Sequence, residues 1–192
     1  CPWPTDFSKT MEWQWSEVML PYWEKTAAFA ADHGVKIAIE MHPGFCVYNP
    51  GTMMRLRAAI GPTVGCNFDP SHLFWQGVDL TTAIRTLGDT ILHFHAKDTR
   101  IDPINARLNG VLDMTSYREM DKRSWIFRTV GYGHGEETWR NIISDLRMAG
   151  YDGVLSIEHE DGLMSSREGL EKAVAVLRDM VIRQETGAAF WA

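Results

Sequence analysis

The sequence predicts an α/β fold built on a parallel sheet, and three observations carry that prediction. Strand-length apolar segments alternate with helix-length segments along most of the 192 residues, which is the rhythm of repeated βα units. Successive strand ends are evenly spaced, with 29 residues from Glu40 to Asp69 and 26 from Asp69 to His95, each close to one βαβ repeat of roughly 30. The run Ile91–Asp98 (ILHFHAKD) begins apolar and turns polar at its C-terminal end. That suits a strand buried on both faces whose last residues emerge at a sheet edge.

Taken in order, residues 1–8 read as an extended lead-in, because Pro2 and Pro4 remove donors and disfavour helix before them. Thr10 to Asp32 has helical composition, with Trp13, Trp15, Val18, Leu20, Trp23, Ala27 and Phe29 at its apolar positions. Pro21 is expected to break this segment and restart it as a second helix, which Gly34 then ends. The tryptophans here are read as packing rather than as a binding box. Val35–Met41 is a β-branched strand leading into the loop His42-Pro43-Gly44. Thr52–Ile60 is a helix, and Thr63–Phe68 a strand closing on Asp69-Pro70-Ser71-His72. Asp79–Leu87 is a helix and Ile91–Lys97 a strand. Trp139–Met148 is a helix with Gly150 beyond it, Gly153–Ile157 a strand closing on Glu158-His159-Glu160-Asp161, and Ser166–Arg183 the last helix.

The interval from His95 to Glu158 is longer, at 63 residues, which implies one repeat plus an insertion within Thr99–Gly135. That insertion holds an Asn109-Gly110 turn, a charged stretch at Tyr117–Arg123, the strand-like Trp125–Val130 and the run Gly131-Tyr132-Gly133-His134-Gly135. A long loop after a strand's C-terminal end is expected to cover or line a site. The glycine run is not a dinucleotide fingerprint, since it does not follow the first strand of such a unit.

Composition bounds the function. The chain is 45% hydrophobic and 23% charged, ordinary for a globular domain with one core, and it is read as one domain over residues 1–192. A formal net charge of −6 argues against the nucleic-acid backbone as partner. No apolar run approaches a membrane span, and no signal peptide is visible. Cys1, Cys46 and Cys66 are odd in number and form no CxxC pair. Reduced thiols in a cytoplasmic protein are therefore expected, not a zinc–thiolate site. Because the chain starts at Cys1 in mid-phrase, a missing N-terminal part is also expected.

Each of the four strands ends in an ionisable residue: Glu40, Asp69, His95 and Glu158. Parallel α/β folds place their sites at that edge, and in a closed barrel the ends converge. One carboxylate at a strand end is most often a cap or a turn residue. Three carboxylates and an imidazole converging would repel strongly unless a cation joined them, and mixed oxygen and nitrogen donors suit one divalent ion, Mn²⁺, Mg²⁺, Co²⁺ or Zn²⁺. His93 and His95, two apart on a strand, share a side with Lys97; His93 is read as hydrogen-bonded support.

The motifs IEMHPG, NFDPSHL, HFHAKD and SIEHED resemble the last four strand ends of the xylose isomerase-like TIM barrels, the sugar phosphate isomerases and epimerases. The resemblance covers essentially the whole chain. It implies a (β/α)8 barrel of which this chain supplies about the last four βα units. In the ketose 3-epimerase branch the metal ligands run Glu, Asp, His, Glu, which implies Glu40, Asp69, His95 and Glu158 here. That branch has a substrate-binding His three residues after the Asp, matching His72. It also has an Arg six residues after the ligand His; that position here is Ile101, and Arg100 is the neighbouring candidate. Lys97 and the long insertion look more like relatives acting on oxidised or larger glycosides.

The resulting hypothesis is metal-assisted proton transfer next to the carbonyl of a sugar or keto-glycoside, through a stabilised enediolate. Glu40 and Glu158 would act as ligands and as base and acid, and His72 would orient a hydroxyl. Lys97, His134 and Arg128 are further candidates for substrate binding, with loop structure as the competing use of His134 and Arg128. Trp75 and Trp125 could stack on a sugar, though core packing is the commoner use. The alternatives are a lyase or hydrolase on keto-glycosides, a sugar-binding subunit without turnover, and an endonuclease IV-like hydrolase, against which the acidic charge argues. Four strands would leave two open edges. Pairing of the half-barrel with another chain, or a homo-oligomer, is therefore expected, as is low stability of this piece alone.

Overall fold

The computed structural model describes residues 6–112, 114–185, 187 and 189. The expected lead-in over residues 1–8 lies mostly outside these residues, and where it is described it is helical. Helix α1 (Phe7–Trp13) runs directly into a π-helical turn, Gln14–Met19, and then into α2 (Leu20–Asp32). Pro21 therefore does not separate two helices as the sequence suggested. Leu20 donates its N–H to the carbonyl of Trp15, five residues back, and this widened turn relieves the clash that Pro21 would make with an α-helical carbonyl. The tryptophans divide: Trp15 is buried, whereas Trp13 is 57% exposed.

The sheet consists of β1 (Ile37–Glu40), β2 (Val64–Phe68), β3 (Ile91–Ala96) and a later strand. Between them lie α3 (Pro50–Ile60), α4 (Pro70–Phe74) and α5 (Leu80–Leu87). Helix α3 starts two residues before its expected position because Asn49 and Thr52 form a capping box. Helix α4, over the residues on which the strand Thr63–Phe68 was read to close, was not expected. Asp69 is its N-cap, accepting from the Ser71 N–H. After β3 the chain leaves the sheet as β4 (Asp98–Ile101), α6 (Pro103–Asn109), a 3-10 segment (Tyr117–Lys122) and β5 (Trp125–Arg128). Strands β4 and β5 pair antiparallel as a separate ribbon. Neither β4 nor α6 was expected. Helix α7 (Glu136–Met148) returns the chain to the sheet as β6 (Leu155–Ile157), and α8 (Ser166–Met180) follows. All four sheet strands are parallel, in the order β1-β2-β3-β6.

Alternation along the strands sorts the sheet into two faces. Ile37, Ile39, Val64, Cys66, Phe68, Ile91, Phe94, Ala96, Leu155 and Ile157 belong to the apolar core, together with Trp139, Leu56 and Leu87 from the helices. Phe68 and Phe94 stack with ring centroids 5.7 Å apart. Burying each such side chain stabilises the fold by roughly 1.5–3 kcal/mol. The opposite face carries Ala38, Gly65, Asn67, His93, His95 and Ser156, small or polar, with Leu92 packed against Gly65.

Ile91 and Phe94 are both core residues although they differ in parity. The ladder shows why: its register shifts between Cys66 and Asn67, so Cys66 pairs with Ile91 but Asn67 with His93. This bulge turns His93, His95 and Lys97 away from the core. Bulges beside functional sites commonly re-aim side chains in this way. Gly65 permits it, because a Cβ there would lie 2.5 Å from both Leu92 Cγ and the Thr90 carbonyl. Among the described residues no helix is long and apolar enough to cross a membrane.

Candidate metal centre

Parallel strands deliver the four strand-end residues to one place. Glu40 closes β1, Asp69 follows β2, His95 lies near the end of β3 and Glu158 follows β6. One ligand atom from each lies within 4.8 Å of all the others. Glu40 and Glu158 approach from the two outer strands, with Asp69 and His95 between them. His95 directs Nδ1 at all three carboxylates, 2.9 Å from Glu158 Oε2, 3.4 Å from Glu40 Oε2 and 3.8 Å from Asp69 Oδ2.

The two oxygens of Asp69 have different tasks. Oδ1 accepts from the Ser71 N–H at 2.8 Å, fixing the carboxylate as the cap of α4. Oδ2 is buried without an aligned hydrogen bond, as is Glu158 Oε2. A buried carboxylate oxygen left so is costly. Both instead meet positive charge at ion-pair range: Lys97 Nζ lies 3.2 Å from Asp69 Oδ2 and 3.1 Å from Glu158 Oε2. Three carboxylate oxygens and one imidazole nitrogen, two of the oxygens lacking aligned donors, fit a hard or borderline divalent cation.

Burial alone would raise the Asp69 carboxyl, but His95, Lys97 and His72 outweigh it and hold it below the ordinary carboxylate range. The hydrogen bond to His72 likewise holds Glu40 low. His95 is shifted upward by Asp69, against burial and with help from Glu158 and Glu40. Three carboxylates thus favour positive charge at this spot.

Of the other sequence candidates, His72 and Lys97 are in the cup and the rest are not. His72 Nε2 is 2.9 Å from Glu40 Oε1, and its ring packs on His42 with centroids 4.3 Å apart. Lys97 is 2% exposed and sits 4.6 Å from the centroid of Phe127 on β5; Phe127 also meets His72 edge-on. The β4–β5 ribbon therefore lines the cup, as its position after a strand end suggested. Arg100 is exposed on the ribbon opposite Ile126, in a cleft shared with Arg123 and Trp125. Arg128 binds Asp161, Nε to Oδ2 at 3.0 Å. His134 donates through Nδ1 to Asp98 Oδ1, 2.8 Å away, and stacks on Phe74. Trp75 and Trp125 stack on each other, 4.6 Å apart and 5° from parallel. His93 pairs with Ser156 Oγ at 2.9 Å.

Three residues that the sequence reading passed over complete the surroundings. Glu160 holds Lys97 Nζ at 2.7 Å. Asn67 reaches His95 Nε2 at 3.1 Å and Glu40 Oε2 at 3.5 Å. Asp98, fully buried, organises the glycine-rich loop through the N–H groups of Gly131, Gly133 and His134. Glu160 shares parity with Glu158, which is the signal that could have found it.

The model of the xylose isomerase-like TIM barrel family matches residues 5–180. Protein YfiH of Bacillus subtilis (strain 168) is 40% identical over 180 residues, 93% of this chain and 58% of that protein. The xylose isomerase domain protein of Planctomyces limnophilus superposes with a TM-score of 0.59 at 20% identity, over 92% of this chain and 52% of that one. The zinc-bound IOLI protein gives 0.60 at 21% identity, over 84% of this chain and 54% of that one. The chain thus spans little more than half the length of these relatives.

Proposed function

We propose that this chain, which belongs to the xylose isomerase-like TIM barrel family, is the metal-holding part of a divalent-metal-dependent isomerase or epimerase of sugars or keto-glycosides. The observation that carries this reading is the convergence of Glu40, Asp69, His95 and Glu158 within 4.8 Å. These four would hold one ion, with Mn²⁺, Mg²⁺, Co²⁺ and Zn²⁺ the candidates. The ion would supply Lewis acidity, stabilising negative charge on a substrate carbonyl oxygen.

The chain's own residues supply the rest. Glu40 and Glu158, on opposite outer strands, flank the substrate position, so one can take the proton beside the carbonyl while the other returns it from the opposite side. The hydrogen bond from His72 holds the Glu40 carboxyl below the ordinary carboxylate range and so favours the carboxylate form that a base requires. His72 is placed to orient a hydroxyl, and Phe127 shields Lys97 and His72 from water. A small polyhydroxylated carbonyl compound is the partner this polar cup suits.

Incubation with divalent metal and a panel of keto-sugars and keto-glycosides in D₂O tests the reaction. Deuterium is expected at the carbon beside the carbonyl. None with any substrate would overturn the proton-transfer reading. Elemental analysis tests the site separately, with bound metal expected in the wild type and lost in Glu158→Gln.

A further inference from the structure

Lys97 has no role in the reaction derived above, yet it is buried in the cup at 2% exposure. Its ammonium is within 3.2 Å of Asp69 Oδ2 and 3.1 Å of Glu158 Oε2, and its third carboxylate is Glu160 at 2.7 Å. The two ligand oxygens it faces are also faced by His95 Nδ1. Asp69 has no other oxygen to offer, because Oδ1 is committed to the Ser71 N–H. Glu160 is different: its side chain is 49% exposed, so it anchors the ammonium from the solvent side. The stem of Lys97 is fixed as well, since Thr99 two residues on is tied to the Ser71 carbonyl and Phe127 covers the ammonium.

We propose that Lys97 is the resident positive charge of the metal cup, anchored by Glu160, and that it sets the cup to accept a divalent rather than a trivalent cation. The inference rests on the metal-site reading above. Glu40, Asp69 and Glu158 carry three negative charges, and one fixed ammonium reduces the attraction that any incoming cation feels. The reduction scales with the cation's charge, so it penalises a trivalent ion more than a divalent one. At these separations one further unit of charge is worth on the order of 10- to 1,000-fold in affinity. A lysine that only supported the backbone would not discriminate by ionic charge.

The readout is the ratio of dissociation constants for Mn²⁺ and Tb³⁺, measured by terbium luminescence and competition on the full chain. Lys97→Met is expected to move the ratio toward Tb³⁺ by at least about tenfold, whereas Lys97→Arg, which keeps the charge, leaves it near the wild-type value. Distortion of the cup would weaken both ions together and leave the ratio in place. A folded Lys97→Met protein with an unchanged ratio overturns the proposal. Should Lys97→Met fail to fold, Glu160→Gln serves. Losing the solvent-side anchor leaves the ammonium wholly to Asp69 and Glu158, so the ratio is expected to move toward Mn²⁺, and no movement overturns the proposal. Wild-type protein that binds neither ion refutes the metal site itself. Binding with a ratio that ignores Lys97 refutes this inference alone.

Discussion

Asp69 and Asp98 are both fully buried carboxylates at strand ends, and the protein treats them in opposite ways. Asp98 is saturated. Its Oδ1 accepts from the Thr99 N–H and faces His134 Nδ1, while Oδ2 takes the N–H groups of Gly131, Gly133 and His134 and the indole of Trp139. Asp69 spends one oxygen on the cap of α4 and leaves the other facing His95, His72 and Lys97 without an aligned donor. A carboxylate whose lone pairs are all used is a structural rivet, because it has nothing to offer a ligand. One with a buried oxygen in reserve is poised for a cation, and the fold tolerates its cost because neighbouring charge offsets part of it.

The largest expected effect falls on the rivet. Asp98→Ala strands the loop's N–H groups and the Trp139 indole, and a loss of about 3–5 kcal/mol is expected from thermal or urea unfolding. A loss under about 1 kcal/mol would break the contrast. Asp69→Asn should behave differently, with bound divalent metal falling at least about 10- to 100-fold by calorimetry and stability without metal changing little. Saturating metal should raise the melting temperature of the wild type but not of Asp69→Asn, since only a state that binds the ion is stabilised by it.

Gly133→Ala examines the loop that Asp98 holds. A Cβ there would run into the Thr99 carbonyl and lie 2.6 Å from Asp98 Oδ1, so a cost of about 1–3 kcal/mol is expected from the same unfolding measurements. The smallest effect concerns Asp161, a second saturated carboxylate, which takes Arg128, the Thr129 N–H and the Leu163 N–H. Burial works against its ionised form, but these donors prevail and hold it below the ordinary aspartate range. Its contribution should therefore be complete above about pH 4, the unfolded value, and vanish as pH falls through the lower folded value. Acid unfolding of wild type and Asp161→Asn should accordingly converge below that pH; a gap that persists would contradict this account.

The same contrast explains what could be read beforehand. The cup was legible because each of its four residues ends an apolar run, a local mark that survives without knowing the fold. Lys97 and His72 were legible by their offsets from those ends. The rivets left no such mark. Asp98 stands one residue after Lys97 in HAKD, and its purpose depends on glycines more than thirty residues later. Their N–H groups needed an acceptor, but nothing in the run Gly131–Gly135 says which. His134 and Arg128 carry the residue types of a site and are held by Asp98 and Asp161 instead.

By itself the sequence determined the alternation of strands and helices and the four residues at the strand ends, because periodicity and turn residues act over a few positions. Only the tertiary structure decided the bulge at Cys66–Asn67, the π-helical turn that absorbs Pro21, the β4–β5 ribbon over the cup and the partners of Lys97. These depend on which distant segments meet, and burial then makes each meeting costly to leave incomplete. The divide between a reserved oxygen on Asp69 and a saturated Asp98 arises there, from donors that the fold delivers to one aspartate and withholds from the other.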